Sequence, residues 1–205
     1  MPHTDKSHTF SKHDASWVWA LGFAQLISWG SVFYAFALLL DPVEQALGLG
    51  RAESSLAFSL MLLAEGLLAF HVGRWIDRGH ERWVMTGGSL LLAAALGWHT
   101  QVHNLLGFYV AWALMGVGLA GTLYPPAFAV LTRRFPQHFR RAIIVLTFLG
   151  GLASTVFMPL VAWLIHSLGW RSALWVLAAL HVLICAPLHW QLLRRAPKQP
   201  MLDTS

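Results

Sequence analysis

Glu65 is the side chain with the most chemical leverage in this sequence. It interrupts an apolar run, with Leu62-Leu63-Ala64 before it and Gly66-Leu67-Leu68 after. A carboxylate near the centre of a bilayer costs about 2.5–3.5 kcal/mol on insertion scales, so it normally faces a cavity or a partner and works there. It could carry a proton, or it could sit neutral and hydrogen-bonded to a neighbouring helix; the sequence leaves both readings open. Gln25, Ser28 and Trp29 recur at three- and four-residue spacing, which puts one polar stripe on an otherwise apolar helix. That stripe would line a cavity and offer hydrogen bonds to a solute, or make a polar contact between helices. A third cluster holds Gly116, Gly118, Gly121, Thr122, Tyr124, Pro125 and Pro126. Small residues let helices pack closely. The two prolines are expected to kink their helix and free carbonyls that need a partner. Thr122 and Tyr124 are the cavity candidates there.

The other chemical groups point away from catalysis. His99 and His103 could place two imidazoles on one helix face, but no third ligand follows within reach, so no metal centre is expected. His71 could titrate near neutral pH. His181 lies inside the last apolar run, as a neutral hydrogen-bonding group or a cavity lining. Cys185 is the single cysteine, which excludes a disulfide within one chain. No nucleophile motif, His-rich cluster or pair of carboxylates is present. The expectation is no enzyme and no cofactor.

These residues must be positioned by membrane helices. Apolar residues make up 57% of the chain, charged residues 11%, and the mean hydropathy is +0.57. A soluble core of this size cannot hide so much apolar surface. A helical span needs roughly 20 mostly apolar residues. Six segments meet that, about 17–40, 54–73, 83–101, 105–131, 142–165 and 171–193. They are apolar at every position instead of alternating, which argues against a β-barrel. The run from Trp17 to Leu40 is too long for a signal-peptide core and is read as a retained span. The expected fold is an all-α integral membrane protein of six transmembrane helices over 17–193, with polar cytoplasmic tails at 1–16 and 194–205.

Charge placement orients the bundle. Lys6 and Lys12 precede the first span, and Arg74, Arg78 and Arg82 lie between the second and third. Arg133, Arg134, Arg140 and Arg141 lie between the fourth and fifth; Arg194, Arg195 and Lys198 follow the sixth. Twelve of the fourteen basic residues thus share one side, the exceptions being Arg51 and Arg171. The positive-inside rule makes that side cytoplasmic, with both termini inside. Trp17, Trp19, Trp83, Trp98, Trp170 and Trp190 fall near span ends, as an interfacial aromatic belt would place them. The net charge of +5 therefore speaks for the lipid bilayer as partner and not for nucleic acid.

The densest charge lies in Gly73-Arg74-Trp75-Ile76-Asp77-Arg78-Gly79-His80-Glu81-Arg82. Gly73 would permit a close helix approach, and Asp77 could accept hydrogen bonds from amides at the start of the third helix. Arg78 and Arg82 could pair with Asp77 and Glu81, or hold anionic lipid head groups. The pattern Gly-x-x-x-Asp-Arg resembles the loop between the second and third helices of major facilitator superfamily transporters, with His80 and Glu81 standing where a glycine and a basic residue are usual. The resemblance implies a cytoplasmic gate built from Gly73, Asp77, Arg78 and Arg82. Gly116-Val117-Gly118 is similar to the family's Arg-x-x-x-Gly-x-Gly element, with Trp112 in the arginine's place. Leu168-Gly169-Trp170-Arg171 resembles the entry to its sixth helix. The fifth span, with Gly150, Gly151 and Pro159, looks closer to the branch that carries small organic anions.

Members usually have twelve spans in two six-helix halves, each a three-plus-three inverted repeat, with the solute between the halves. The resemblance covers about Trp17 to Arg195 and implies an amino-terminal half. The expected activity is secondary transport of a small solute across a bacterial inner membrane, with a second half or a second copy as partner. The alternatives are a truncated or non-transporting six-helix protein and, from a different class, a membrane enzyme. Reporter domains fused after Arg82 and after Arg141 should both be active only inside the cell; activity of either outside would reverse the orientation.

Overall fold

In hydrocarbon each backbone amide must find a partner within the protein, and a helix achieves this inside one segment. The computed structural model describes residues 11–195, and among these every regular element is helical. Residues 1–10 and 196–205, with Lys6, Lys198 and most of both expected tails, lie outside the described residues. Helix α1 (Lys12–Ser28), a π-helical stretch (Trp29–Tyr34) and α2 (Ala35–Leu47) form a first rod. The second rod is α3 (Arg51–Asp77) and the third is α4 (Glu81–His99). Helices α5 (Leu105–Ala120) and α6 (Tyr124–Arg134) make the fourth, and α7 (Phe139–Gly151) with α8 (Ala153–Leu168) the fifth. The last joins α9 (Trp170–Leu180), a second π stretch (His181–Cys185), α10 (Ala186–Leu192) and a 3-10 turn (Leu193–Arg195).

Among the described residues five helices are long and apolar enough to cross a membrane: Lys12–Leu47, Arg51–Asp77, Leu105–Arg134, Phe139–Leu168 and Trp170–Leu192. Helix α4 has 19 residues, with the small residues Gly87, Gly88 and Ser89 in place of large apolar ones. Helix α1 begins within the residues expected to form a polar tail. The Ser11 hydroxyl accepts the Asp14 N–H, and the Asp14 carboxylate accepts the Ser11 N–H, each at 3.1 Å. This reciprocal cap satisfies two amides that the first turn would otherwise leave open.

The turns follow from local chemistry. Helix α3 ends on Gly79, whose φ of 84° is unfavourable for other residues. Gly79 N–H donates to Ile76 O and His80 N–H reaches back to Trp75 O, the paired bonds of a Schellman ending. Gly79 thus makes the turn into α4; around Gly73 an added Cβ would meet nothing within 4 Å. On the opposite end, Arg51 contacts Asp41 at 2.6 Å and Glu44 at 3.2 Å, and Ser54 donates to Glu44. These bonds tie the start of the second rod to the end of the first.

The rods pair off along their lengths. The second rod lies chiefly along the fourth, and the first along the fifth. The third rod packs on the fourth and sixth. Glycine sets the closest approaches. A Cβ at Gly116 would stand 2.1 Å from Met61 O on the second rod, and one at Gly118 would stand 2.7 Å from the Leu92 side chain on the third. Gly30 lies against the Phe157 ring, where a Cβ would come within 2.1 Å. Two π stretches meet where the first and sixth rods cross: Ser31 Oγ and His181 Nε2 are 2.8 Å apart. Each π turn carries an extra residue, which shifts side chains relative to an α-helix.

The apolar core is split. One cluster holds Phe108, Trp112, Leu92, Met61, Phe157 and Leu174; the other, at the arginine-bearing end, holds Trp17, Leu21, Met85, Leu131, Phe135 and Leu146. Gln25, Ser89, Thr122 and His189, all fully buried, fall along their rods between residues of the two clusters. A polar stratum therefore separates them. Trp17 and Trp170 are also buried, so they depart from the expected interfacial belt: Trp17 Nε1 donates to Leu192 O, and Trp170 packs on His99.

Glycine contacts give a stability test. Gly116→Ala should destabilise the detergent-solubilised chain by about 1–3 kcal/mol, the usual cost of overpacking. Gly66→Ala, where a Cβ meets open space in mid-helix, should be neutral or stabilise by up to about 1 kcal/mol. Thermal melting of both variants decides it; equal effects would contradict the packing described.

Candidate functional site

The fourth rod is broken at its middle. Helix α5 stops at Ala120 and α6 restarts at Tyr124, with Pro125 and Pro126 in the new helix's first turn. Proline is tolerated there because a first-turn amide has no intrahelical acceptor anyway. The prolines thus begin a helix and do not kink a continuous one, as the sequence had suggested. Pro125 and Pro126, three and four residues on, have no N–H to offer the Thr122 carbonyl, which is left without a helical donor. Gln25 Nε2 supplies one, at 2.5 Å and fully buried. Thr122 Oγ1 turns back to Gly118 O at 3.1 Å. Gln25, Ser28 and Thr122 are consequently enclosed between rods, and Ser28 lies against the Cys185 thiol. Trp29 and Tyr124 are half-buried and meet across the first and fourth rods.

The face they share is aromatic. Trp29 sits 4.9 Å from Phe33 and 5.1 Å from Tyr124, centroid to centroid. Tyr124 stacks on Phe128 at 5.2 Å. Phe33 meets Phe58 at 5.2 Å, Phe58 meets Phe36 at 4.6 Å, and Phe36 meets Trp112 at 4.7 Å. The ladder runs over the first, second and fourth rods. Glu65 is half-buried on α3, seven residues after Phe58. That spacing puts both on one face of the helix.

At the arginine-bearing end the structure redistributes the expected gate. Asp77 and Arg78 are exposed, and the His80 side chain at the N-cap of α4 makes no capping hydrogen bond. Arg82 turns away from both acids. Its Nε donates to Trp190 O at 3.1 Å, and its guanidinium lies 3.2 Å over the Trp190 ring. Glu81 is instead the buried acid. Its Oε2 stands 2.7 Å from Arg133 Nη2, an ion pair off the line of a hydrogen bond, with side chains only 3% and 12% exposed. It joins the start of α4 to the end of α6, a link between residues 52 positions apart that local sequence could not reveal.

Two further polar pairs escaped the sequence reading. Ser89 Oγ lies 2.9 Å from His189 Nδ1, and Ser31 pairs with His181, so the sixth rod is hydrogen-bonded to both the third and the first. His99 is fully buried in a box of Phe108, Trp112 and Trp170, with ring centroids 5.4–5.9 Å away. His103 is exposed, so the two do not converge.

Deleting one member of a buried ion pair strands the other, at a typical cost of about 3–5 kcal/mol. Arg133→Ala should therefore lower the melting temperature sharply, and the double reversal Glu81→Arg with Arg133→Glu should recover much of the loss. A double variant no better than the single ones would show that the pair does not join these helices. Comparison with known proteins agrees with the architecture. A family model described as "Major Facilitator Superfamily" matches residues 18–204. The chain is 28% identical over 167 residues to "Multidrug resistance protein MdtL" of Klebsiella pneumoniae (strain 342), covering 79% of this chain and 41% of that protein. It is 26% identical over 174 residues to "Uncharacterized MFS-type transporter YcxA" of Bacillus subtilis (strain 168), covering 81% and 41%. With "Monocarboxylate transporter 13" of Rattus norvegicus it shares 38% identity over 111 residues, 51% of this chain and 25% of that protein. The chain spans about two fifths of the length of the two bacterial relatives. With its apolar helical rods and this match, the chain is an integral membrane protein and belongs to the major facilitator superfamily.

Proposed function

We propose that this chain is the amino-terminal half of a secondary active transporter that moves a small solute by alternating access. The observation that carries the reading is a helical bundle matching two fifths of its bacterial relatives while its second and fifth rods remain uncovered on their outer sides. On the second rod Leu63, Leu67 and Phe70 are exposed, and on the fifth Ile144 and Phe148. These rods flank the aromatic inner face made by the first and fourth. A second half, or a second copy, laid across that face would enclose a solute between them.

The rod pairings support a three-plus-three repeat. Exchanging the first three rods for the last three turns the second–fourth contact into the fifth–first, and the third–fourth into the sixth–first; both members of each pair are present. The interruptions in the first and fourth rods correspond under the same exchange. Helix α4 serves as the remaining span in this reading. Its 19 residues rise about 28 Å, close to the thickness of hydrocarbon. Its low apolar content follows from contact needs, since Gly88 lies against Gly118 O and Thr122.

The arginine-bearing rod ends set the inner leaflet, with both termini cytoplasmic. The two bacterial relatives, matched over about four fifths of this chain, support a bacterial inner membrane. Two carriers of different printed specificities, multidrug and monocarboxylate, are alike in this region, so the shared part is the machinery of exchange more than the choice of solute. Glu81–Arg133 and the Arg82–Trp190 clamp would brace the inner ends of the rods while the halves rock.

The test is uptake into proteoliposomes, with the chain paired with a second six-helix half or with itself. Solute uptake driven by a proton gradient, and lost in Glu65→Gln, is the expected result. Correctly inserted chain without uptake in either pairing would contradict transport and leave a non-transporting bundle.

A further inference from the structure

We propose that the inner face of this chain is a seat for a lipophilic cation carrying aromatic or other flat apolar groups. The inference rests on the transporter reading only in calling the occupant a solute; the seat itself is defined by binding.

Three observations converge on it. The first is the continuous ladder from Trp112 through Phe36, Phe58, Phe33 and Trp29 to Tyr124 and Phe128, each ring 4.6–5.2 Å from the next. All but Trp112 are half-buried, so they present ring surface on a shared face without being sealed in the core. The faces of such rings carry negative quadrupole and attract cations, most strongly where water is excluded.

The second is the level at which Glu65 stands. Gly116 packs against Met61 O and the Ala64 side chain, which fixes the register of the second rod on the fourth. The second and fourth rods run in the same direction, so Glu65 falls between the level of Trp112 and that of Tyr124. It shares a helix face with Phe58, which is itself a member of the ladder. A carboxyl at the level of the ladder supplies the countercharge that rings alone lack.

The third is the placement of the basic residues. All fourteen lysines and arginines lie at rod ends or in the tails, none in the middle of a rod. Of the rod histidines, His181 and His189 are buried against Ser31 and Ser89, and His99 is closed in its aromatic box. His71 is exposed beside Phe70, six residues after Glu65 and so about 120° round the helix from it. An organic anion on this face would meet ring faces and a carboxyl with no opposing charge, an arrangement that is costly away from water. The branch resemblance that suggested organic anions therefore finds no support in the side chains of the face itself.

Tetraphenylphosphonium and tetraphenylborate have the same shape and opposite charge, and they separate charge from size. The purified full chain in detergent should bind radiolabelled tetraphenylphosphonium, and an excess of tetraphenylborate should not displace it. Glu65→Gln should weaken binding by about tenfold, Glu65→Asp should retain most of it, and Phe58→Leu should weaken it by about fivefold, a typical loss for one cation–π contact. Melting curves of the variants confirm that each is folded. Tetraphenylborate competing as well as the cation, a Glu65→Gln variant that binds as tightly as the parent, or folded chain that binds no cation would each overturn the proposal. Binding without uptake in proteoliposomes would remove the transport reading and leave the seat standing; uptake of an anion without cation binding would do the reverse.

Discussion

The hydrogen bond from Gln25 Nε2 to the Thr122 carbonyl holds the centre of this molecule together. In hydrocarbon a rod broken at mid-depth exposes backbone groups that no water can satisfy, and each such group costs several kcal/mol. The chain nevertheless breaks its fourth rod, and a buried amide on the first rod fills the gap. Because the first rod supplies that donor, the two interrupted rods are fixed against each other at the level where the aromatic ladder runs from Trp29 to Tyr124. The inner face is thus a product of backbone satisfaction as much as of side-chain choice.

The rest of the bundle is arranged around that join. Glycines bring the fourth rod onto its two neighbours, Gly116 toward the second and Gly118 toward the third. Apolar side chains fill the space above and below a stratum of buried polar groups, Gln25, Ser89, Thr122 and His189. Each of these has a partner on another rod or within its own turn. Apolar packing in lipid gives weak directional preference between helices, and specific polar bonds of this kind fix which faces meet. At the arginine-bearing end, Glu81–Arg133 and Arg82–Trp190 close the third rod onto the fourth and sixth.

The sequence disclosed what depends on short range and withheld what depends on distance. Apolar runs announced the rods, and the Gly79 turn lay inside the charged island that marked the start of α4. Glu65 stood out because a carboxyl in an apolar run has no other local explanation. The partner of Glu81 could not be read, since Arg133 reaches it only after two rods have packed; a residue assigned to a loop became a buried strut. Gln25 and Thr122 were noticed as polar residues on apolar helices, and the prolines announced a freed carbonyl, but not that Gln25 would be its donor. Pro125 and Pro126 open a helix, which pattern alone does not distinguish from kinking one. Neither π stretch has a composition that sets it apart from α-helix.

In the proposed assembly the second and fifth rods border a protein partner while other apolar faces meet lipid. Cys185 is the single cysteine and is buried, so single-cysteine variants in a Cys185→Ala background give a clean reading by oxidative crosslinking in native membranes. Leu62→Cys and Phe148→Cys should crosslink to the opposing half or copy, whereas Leu106→Cys and Leu183→Cys, which are more exposed, should not. Crosslinks confined to the latter pair would place the partner on the wrong side of the bundle and contradict the account.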